Sequence, residues 1–193
     1  GTVFDVAAIF DPADIYARTR MPETPAFPAG GFTFAVPRAS DLKFFGDDEA
    51  ARLFEAASER LEELGGRARW IDFSMFEEAA ALLYEGPWVA ERFAAVGDFI
   101  EKHGAEVDPT VRGIVLGARE RSAVETFEAM YKLEALKRRA QRLFAEIDLL
   151  MVPTAPTIYR VDEVLAEPVK LNSRLGSYTN FMNLLDMAGI AIP

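Results

Sequence analysis

Apolar positions along the chain switch between a period of two and a period near 3.6, and the switches divide it into elements. Phe32-Thr33-Phe34-Ala35-Val36, stopped by Pro37, has the composition of a strand. Asp47 to Leu64 then carries Leu53, Phe54, Ala57, Leu61 and Leu64 at helical spacing, with Gly65-Gly66 as its stop. Arg67 to Phe73 predicts a second strand. Strand, helix and strand within about forty residues form the grammar of a parallel crossover. From Met75 to Lys102 the pattern is helical but broken at Gly86-Pro87. Asp108-Pro109 supplies an N-cap followed by proline at the first position of another helix, and Ser122 with Glu125 a capping box for the next. There Val124, Phe127, Met130, Tyr131, Leu136, Leu143 and Phe144 keep helical spacing, with Lys137-Arg138-Arg139 as the solvated face. Ile147 to Val152, ended by Pro153, fits a buried parallel strand. Asn172 to Gly176 leads into a last helix with Tyr178, Phe181, Leu184, Leu185 and Ala188 on its apolar side, and Ile190 to Pro193 has the start of a strand. At the other end Thr2 to Phe10 has helical spacing, Asp11-Pro12 ends it, and Thr19 to Gly31 is an irregular connection. The order of elements predicts an α/β fold, a mostly parallel or mixed sheet flanked by helices. Residues 1–193 are expected to be one unit, both ends internal to something longer.

Composition narrows what such a fold can do. A formal charge of -10 argues against nucleic acid and against an anionic membrane surface, both of which need a basic face. An anionic substrate would need local positive charge. There is no cysteine, hence no disulfide, thiolate metal site or cysteine nucleophile, which suits a reducing compartment. With neither a signal peptide nor an apolar run of membrane length, a cytoplasmic location is the default.

Candidate chemistry concentrates in Leu82-Leu83-Tyr84-Glu85-Gly86-Pro87-Trp88-Val89-Ala90-Glu91-Arg92, two aromatics, two carboxylates and a guanidinium around one break. Pro87 is placed to begin the second helix, where Trp88, Glu91 and Arg92 share roughly one face and Tyr84 closes the corner. Two readings stand. In one, Trp88 is core, Arg92 pairs with Glu85 or Glu91, and Tyr84 fills a gap. In the other, a phenol beside a guanidinium holds a small carboxylate. A second place is Pro153-Thr154-Ala155-Pro156-Thr157, a candidate site wall, because ligands in open α/β sheets gather beyond the carboxyl ends of strands; a rigid exit loop explains it equally. The single His103 sits at a helix ending and gives no basis for a Ser-His-Asp hydrolase or a conventional zinc site. No glycine-rich phosphate cradle is present, and no spacing singles out a carboxylate pair.

Three stretches together carry a family resemblance: Leu82 to Arg92, Val152 to Thr157, and Asn172-Ser173-Arg174-Leu175-Gly176-Ser177-Tyr178-Thr179-Asn180-Phe181-Met182-Asn183-Leu184-Leu185-Asp186. The sequence resembles, over essentially its whole length, allophanate hydrolases of the amidase-signature family. The resemblance implies part of an amidase-signature fold and hydrolysis of allophanate to ammonia and carbon dioxide in urea degradation, with no cofactor and no metal. It also implies a serine nucleophile, a bridging serine and a lysine base, all borne by segments that would precede residue 1. No catalytic residue is therefore expected in this chain, and Ser40, Ser58, Ser74, Ser122, Ser173 and Ser177 have structural settings. By the same resemblance Tyr84 and Arg92 hold the substrate carboxylate, and Asn180 and Thr179 line the pocket less directly. The expected partners are the small anionic amide, the rest of the amidase domain and a second copy in a homodimer. Two other functions fit the same residues: a noncatalytic module that captures a small dicarboxylate, and an amidase of other specificity.

Overall fold

The structure, a computed structural model, describes residues 30–84 and 86–192. The chain divides into two units, Gly1–Gly30 and Gly31–Pro193, and every element described belongs to the second. The helix expected over 2–10, its Asp11-Pro12 end and nearly all of the connection over 19–31 lie outside the described residues.

Strand β1 (Phe32–Pro37) runs parallel to β2 (Gly66–Ile71) on one side and to β3 (Leu149–Leu150) on the other, in the order β2-β1-β3. The register sets Phe32 against Gly66 and Pro37 against Ile71, with Phe34 against Leu149. Because alternate side chains point to opposite faces, Phe32, Phe34 and Val36 pack under α1 (Asp48–Glu63), while Ala35 faces the larger cluster on the other side. A central parallel strand covered on both faces is expected to be apolar, and in this one every residue but the half-buried Thr33 is.

Helix α1 starts where Asp47 accepts a hydrogen bond from the Ala50 amide at 2.9 Å. It ends at Gly65, whose φ of +92° a residue with a Cβ would strain to adopt. Phe54 and Leu61 pack on β1, but Leu53 and Leu64, expected on the same apolar face, are exposed. A three-stranded sheet is too narrow to cover the whole stripe. The edge strand β2 shows the same limit: Trp70 is 57% exposed.

The opposite layer holds α2 (Ser74–Tyr84), the long α5 (Ala123–Phe144) and the single turn α8 (Phe181–Leu184). Phe73, Phe76, Tyr178 and Phe181 form one ring cluster, with centroids 4.7 to 5.7 Å apart. Between α2 and α5 lie α3 (Val89–Lys102), α4 (Pro109–Leu116) and a short 3-10 turn, Gly117–Glu120. The expected caps are in place: Asp108 on α4 with Pro109 at its start, and the reciprocal Ser122–Glu125 box on α5. In α5 the helical period holds but its phase is rotated. Ala129, Leu133, Leu136 and Ala140 are buried, whereas Val124, Phe127, Met130 and Tyr131 are exposed.

Three expectations are corrected near the carboxyl end. The strand expected over 147–152 contributes only two residues to the ladder, because the Asp148 carboxylate takes the Thr33 amide at 2.7 Å and replaces a backbone acceptor. The connection before Asn172 is helical, forming α6 (Val161–Ala166) and α7 (Pro168–Leu175), so Asn172 to Leu175 lie in a helix rather than ahead of one. The helix expected through Ala188 shrinks to α8, Ala188 is exposed, and residues 190–192 form no strand.

Candidate functional site

The break between α2 and α3 is built by two residues. At Gly86 a Cβ would strike the carbonyl oxygen of Leu82, so only glycine lets the chain fold back this tightly. Pro87 is buried, and its carbonyl accepts the Ala90 amide at 2.8 Å. The helix begins at Val89, two residues later than Pro87 itself. Trp88 packs against the main core and Val89 is buried, which anchors the start of α3.

With that corner fixed, Tyr84 at the end of α2 and Arg92 in the first turn of α3 meet. The guanidinium carbon lies 5.3 Å from the centroid of the Tyr84 ring, a cation–π contact. Arg92 makes no ion pair with Glu91, which is exposed, or with any other described carboxylate, and Glu85, the other expected partner, lies outside the described residues. Trp88 is thus core, as the packing reading holds, whereas Tyr84 is 44% exposed and does not plug an interior gap. The result is a half-buried cation on the face of a phenol whose edge remains open.

Tyr84 is also one wall of a groove of about 290 Å³ between α4 and the α6–α7 pair. Val111, Ile114, Leu165 and Val169 make it apolar, and Asn172 and Ser173 bring polar groups to it. Both polar side chains are held in place by their own helix, Asn172 Nδ2 donating to the Pro168 carbonyl at 2.6 Å and Ser173 Oγ to that of Val169 at 2.8 Å. Two of the stretches singled out in the sequence therefore share one groove. That Asn172 and Ser173 are the neighbours of Tyr84 was not legible in their spacing, since nearly ninety positions separate them.

Thr179 and Asn180 lie on the turn after α7. Their amides both donate to the Gly176 carbonyl at 3.0 Å, and the Asn180 side chain packs so closely on Gly176 that a Cβ there would collide with it. Neither lines the groove beside Tyr84. Asn180 sits at the N-cap of α8 without making a side-chain cap bond, and Asn183 is exposed.

The Pro153–Thr157 segment borders a different cavity, of about 420 Å³, lined by Ala155, Thr157 and Ile158 on one side and by Asp47, Ala50 and Leu53 on the other. It lies beyond the carboxyl ends of β1 and β3, where the strand order reverses. Thr157 is buried and donates to the Asp47 carboxylate at 3.1 Å, the same carboxylate that caps α1. These polar groups satisfy one another. His103 ends α3, with its Nδ1 2.9 Å from Glu106 and its ring stacked on Phe99.

One buried polar link appears only in three dimensions. The Tyr178 hydroxyl donates to the Asp41 carbonyl at 2.9 Å and accepts from the Lys43 amide at 2.6 Å, while the Asp41 carboxylate accepts from the Phe73 amide at 3.1 Å. Burial pushes the Tyr178 phenol above its usual range, opposed by the Lys43 amide that bonds to it. This ties the loop after β1 to the segment carrying Thr179 and Asn180. Tyr178→Phe is expected to cost about 1 to 3 kcal/mol, because it leaves a partly buried amide and carbonyl without their partner. A urea midpoint equal to that of wild type would show that water replaces the hydroxyl.

No protein-family model matches the chain. Its sequence is 39% identical over 163 residues to urea amidolyase from Saccharomyces cerevisiae, an alignment covering 83% of this chain and 9% of that protein. Its structure is similar to Kluyveromyces lactis allophanate hydrolase, with a TM-score of 0.87 and 34% identity over 96% of this chain and 30% of the other. A more distant likeness, to a glutamyl-tRNA(Gln) amidotransferase chain from Thermotoga maritima, has a TM-score of 0.57 at 19% identity over 81% of this chain and 34% of that one, and bears on the fold alone. The chain thus spans a small part of the length of the relatives it matches.

Proposed function

We propose, from the premise that this chain is homologous to a segment of the amidase-signature allophanate hydrolases, that it is the substrate-binding and scaffolding portion of an enzyme hydrolysing allophanate to ammonia and carbon dioxide. The observation that carries this reading is the Arg92 guanidinium on the Tyr84 ring, a cation with no described carboxylate beside it in a protein of net charge -10. In such a field an anion is drawn only to a local positive site. Arg92 neutralises the substrate carboxylate and Tyr84 donates a hydrogen bond to it. Thr179 and Asn180, on the separate turn after α7, do not line the groove beside Tyr84 and are given no part in this carboxylate contact.

This arrangement selects anionic amides, because an uncharged amide would leave the guanidinium desolvated without compensation. It performs no bond cleavage. The nucleophile, the bridging hydroxyl and the base are a serine, a serine and a lysine supplied by the remainder of the amidase domain, and none of them is assigned to a residue here. The proposed setting is the cytoplasm, with the enzyme acting as a homodimer. Within the structure itself, no described helix is long and apolar enough to cross a membrane.

Ammonia release from allophanate, measured for this chain and for a form extended upstream in its native reading frame, tests the proposal. Turnover confined to the extended form is the expected result. Turnover by the short chain would place a nucleophile within these residues and overturn the division of labour. Tight malonate binding by both forms with turnover by neither would favour a noncatalytic binding module, and preference of the extended form for neutral amides would favour an amidase of other specificity.

A further inference from the structure

The groove beside Tyr84 offers hydrogen-bond acceptors where α7 forms its wall. Asn172 and Ser173 line it, and each commits a hydrogen to the carbonyl four residues back, Asn172 Nδ2 to Pro168 at 2.6 Å and Ser173 Oγ to Val169 at 2.8 Å. A carbonyl can only accept, so these bonds fix the roles of both side chains. The Ser173 oxygen keeps its lone pairs and no hydrogen. The Asn172 amide leaves its Oδ1 without a donor among the described residues.

Charge gives the groove a direction. Asp108 lines it from the start of α4, where one carboxylate oxygen accepts the Thr110 and Val111 amides at 2.9 and 3.1 Å, and no described lysine or arginine lines it. A carboxylate is therefore repelled from the groove and drawn to Arg92 on the Tyr84 ring, whereas an N–H group finds acceptors there. Allophanate carries both kinds of group. Its carboxylate carbon is bonded directly to an N–H, which bridges to the terminal amide. With the carboxylate on Tyr84 and Arg92, that bridging N–H is the first donor to reach the acceptors beside Tyr84.

We propose that Asn172 and Ser173 determine specificity by accepting the bridging N–H of the substrate, on Asn172 Oδ1 and Ser173 Oγ. The proposal rests on the carboxylate reading of Tyr84 and Arg92, and it adds a discrimination that pair cannot supply, since Arg92 holds any small carboxylate alike. A methylene in place of the N–H leaves both acceptors covered and unpaired, which is how a polar site rejects an analogue that lacks a donor. Malonamate is that analogue. It has the same carboxylate and the same terminal amide, joined by a methylene.

The ratio of kcat/KM for allophanate to that for malonamate, measured in the full-length enzyme, tests the proposal. Asn172→Ala and Ser173→Ala are each expected to lower this ratio about threefold, and the double variant at least about tenfold. Ser173→Thr keeps a hydroxyl that can bond the Val169 carbonyl, and is expected to hold the ratio within about twofold of wild type. Where malonamate binds without being cleaved, its inhibition constant against allophanate takes its place in the ratio. A purely structural role slows both compounds together, so an unmoved ratio in the double variant, as when the remainder of the enzyme fills the groove, overturns the proposal. Circular dichroism accompanies each variant, and if Asn172→Ala loses helical signal the Ser173→Ala ratio decides. Arg92→Ala separates this proposal from the reading beneath it, being expected to weaken both compounds alike. No effect of Arg92→Ala, or a wild type that leaves allophanate uncleaved, removes the carboxylate reading and the proposal with it. An Arg92 effect beside an unmoved ratio removes the proposal alone.

Discussion

Arg92→Ala in the full-length enzyme is expected to raise the Michaelis constant for allophanate at least about tenfold, with a smaller change in turnover number. A hydrogen bond to a charged group contributes about 1.5 to 3 kcal/mol, and about 1.4 kcal/mol is a factor of ten. The effect falls mainly on the Michaelis constant because the substrate carboxylate carries the same charge in the ground and transition states and is held nearly alike in both. Arg92→Lys is informative beside it. Lysine keeps the charge but loses the planar fork and its stacking on the Tyr84 ring, so an intermediate loss is expected. Unchanged steady-state kinetics in the alanine variant would show that the guanidinium serves only to pack against Tyr84, and the carboxylate-binding assignment would be wrong.

Phe76→Ala is expected to destabilise the fold by about 3 to 5 kcal/mol, read as a lower urea midpoint at unchanged slope. Phe76 has no exposed surface, and its ring lies 5.0 Å from Phe73 and 4.7 Å from Phe181. Removing it opens a cavity at the junction of α2, α8 and the end of β2, where close-packed neighbours can relax only partly. The consequence reaches the site, since α2 carries Tyr84 at its far end. A variant that stays folded is therefore also expected to bind substrate less well. A loss below about 1 kcal/mol would mean that the ring cluster collapses around the missing side chain and does not hold α2 in place.

Much of the fold was legible in local chemistry. The capping box at Ser122, the Asp108-Pro109 start, the stop at Gly65 and the apolar run of β1 each satisfy a requirement of a few neighbouring residues, and each appears where the pattern places it. The errors share one cause. Periodicity reports that a helix has an apolar face, but whether that face meets the core depends on what stands opposite. Val124, Phe127 and Tyr131 keep the period of α5 while Ala129 and Leu133 take the core, because small and branched side chains allow α2 and α5 to pack closely. Asp148 shortens β3 through a bond to Thr33, more than a hundred positions away.

The candidate site divides along the same line. The Gly86-Pro87 break and the nearness of Tyr84 to Arg92 across it follow from the sequence alone, because two residues eight positions apart around a forced turn cannot lie far from each other. The tertiary structure decided the rest. It placed Asn172 and Ser173 beside Tyr84, left Thr179 and Asn180 on a separate turn, and made Tyr178 a polar tie between two loops. Those relations join segments distant in the chain, and what sets them is the packing of helices on a shared core, a property that no window of sequence contains.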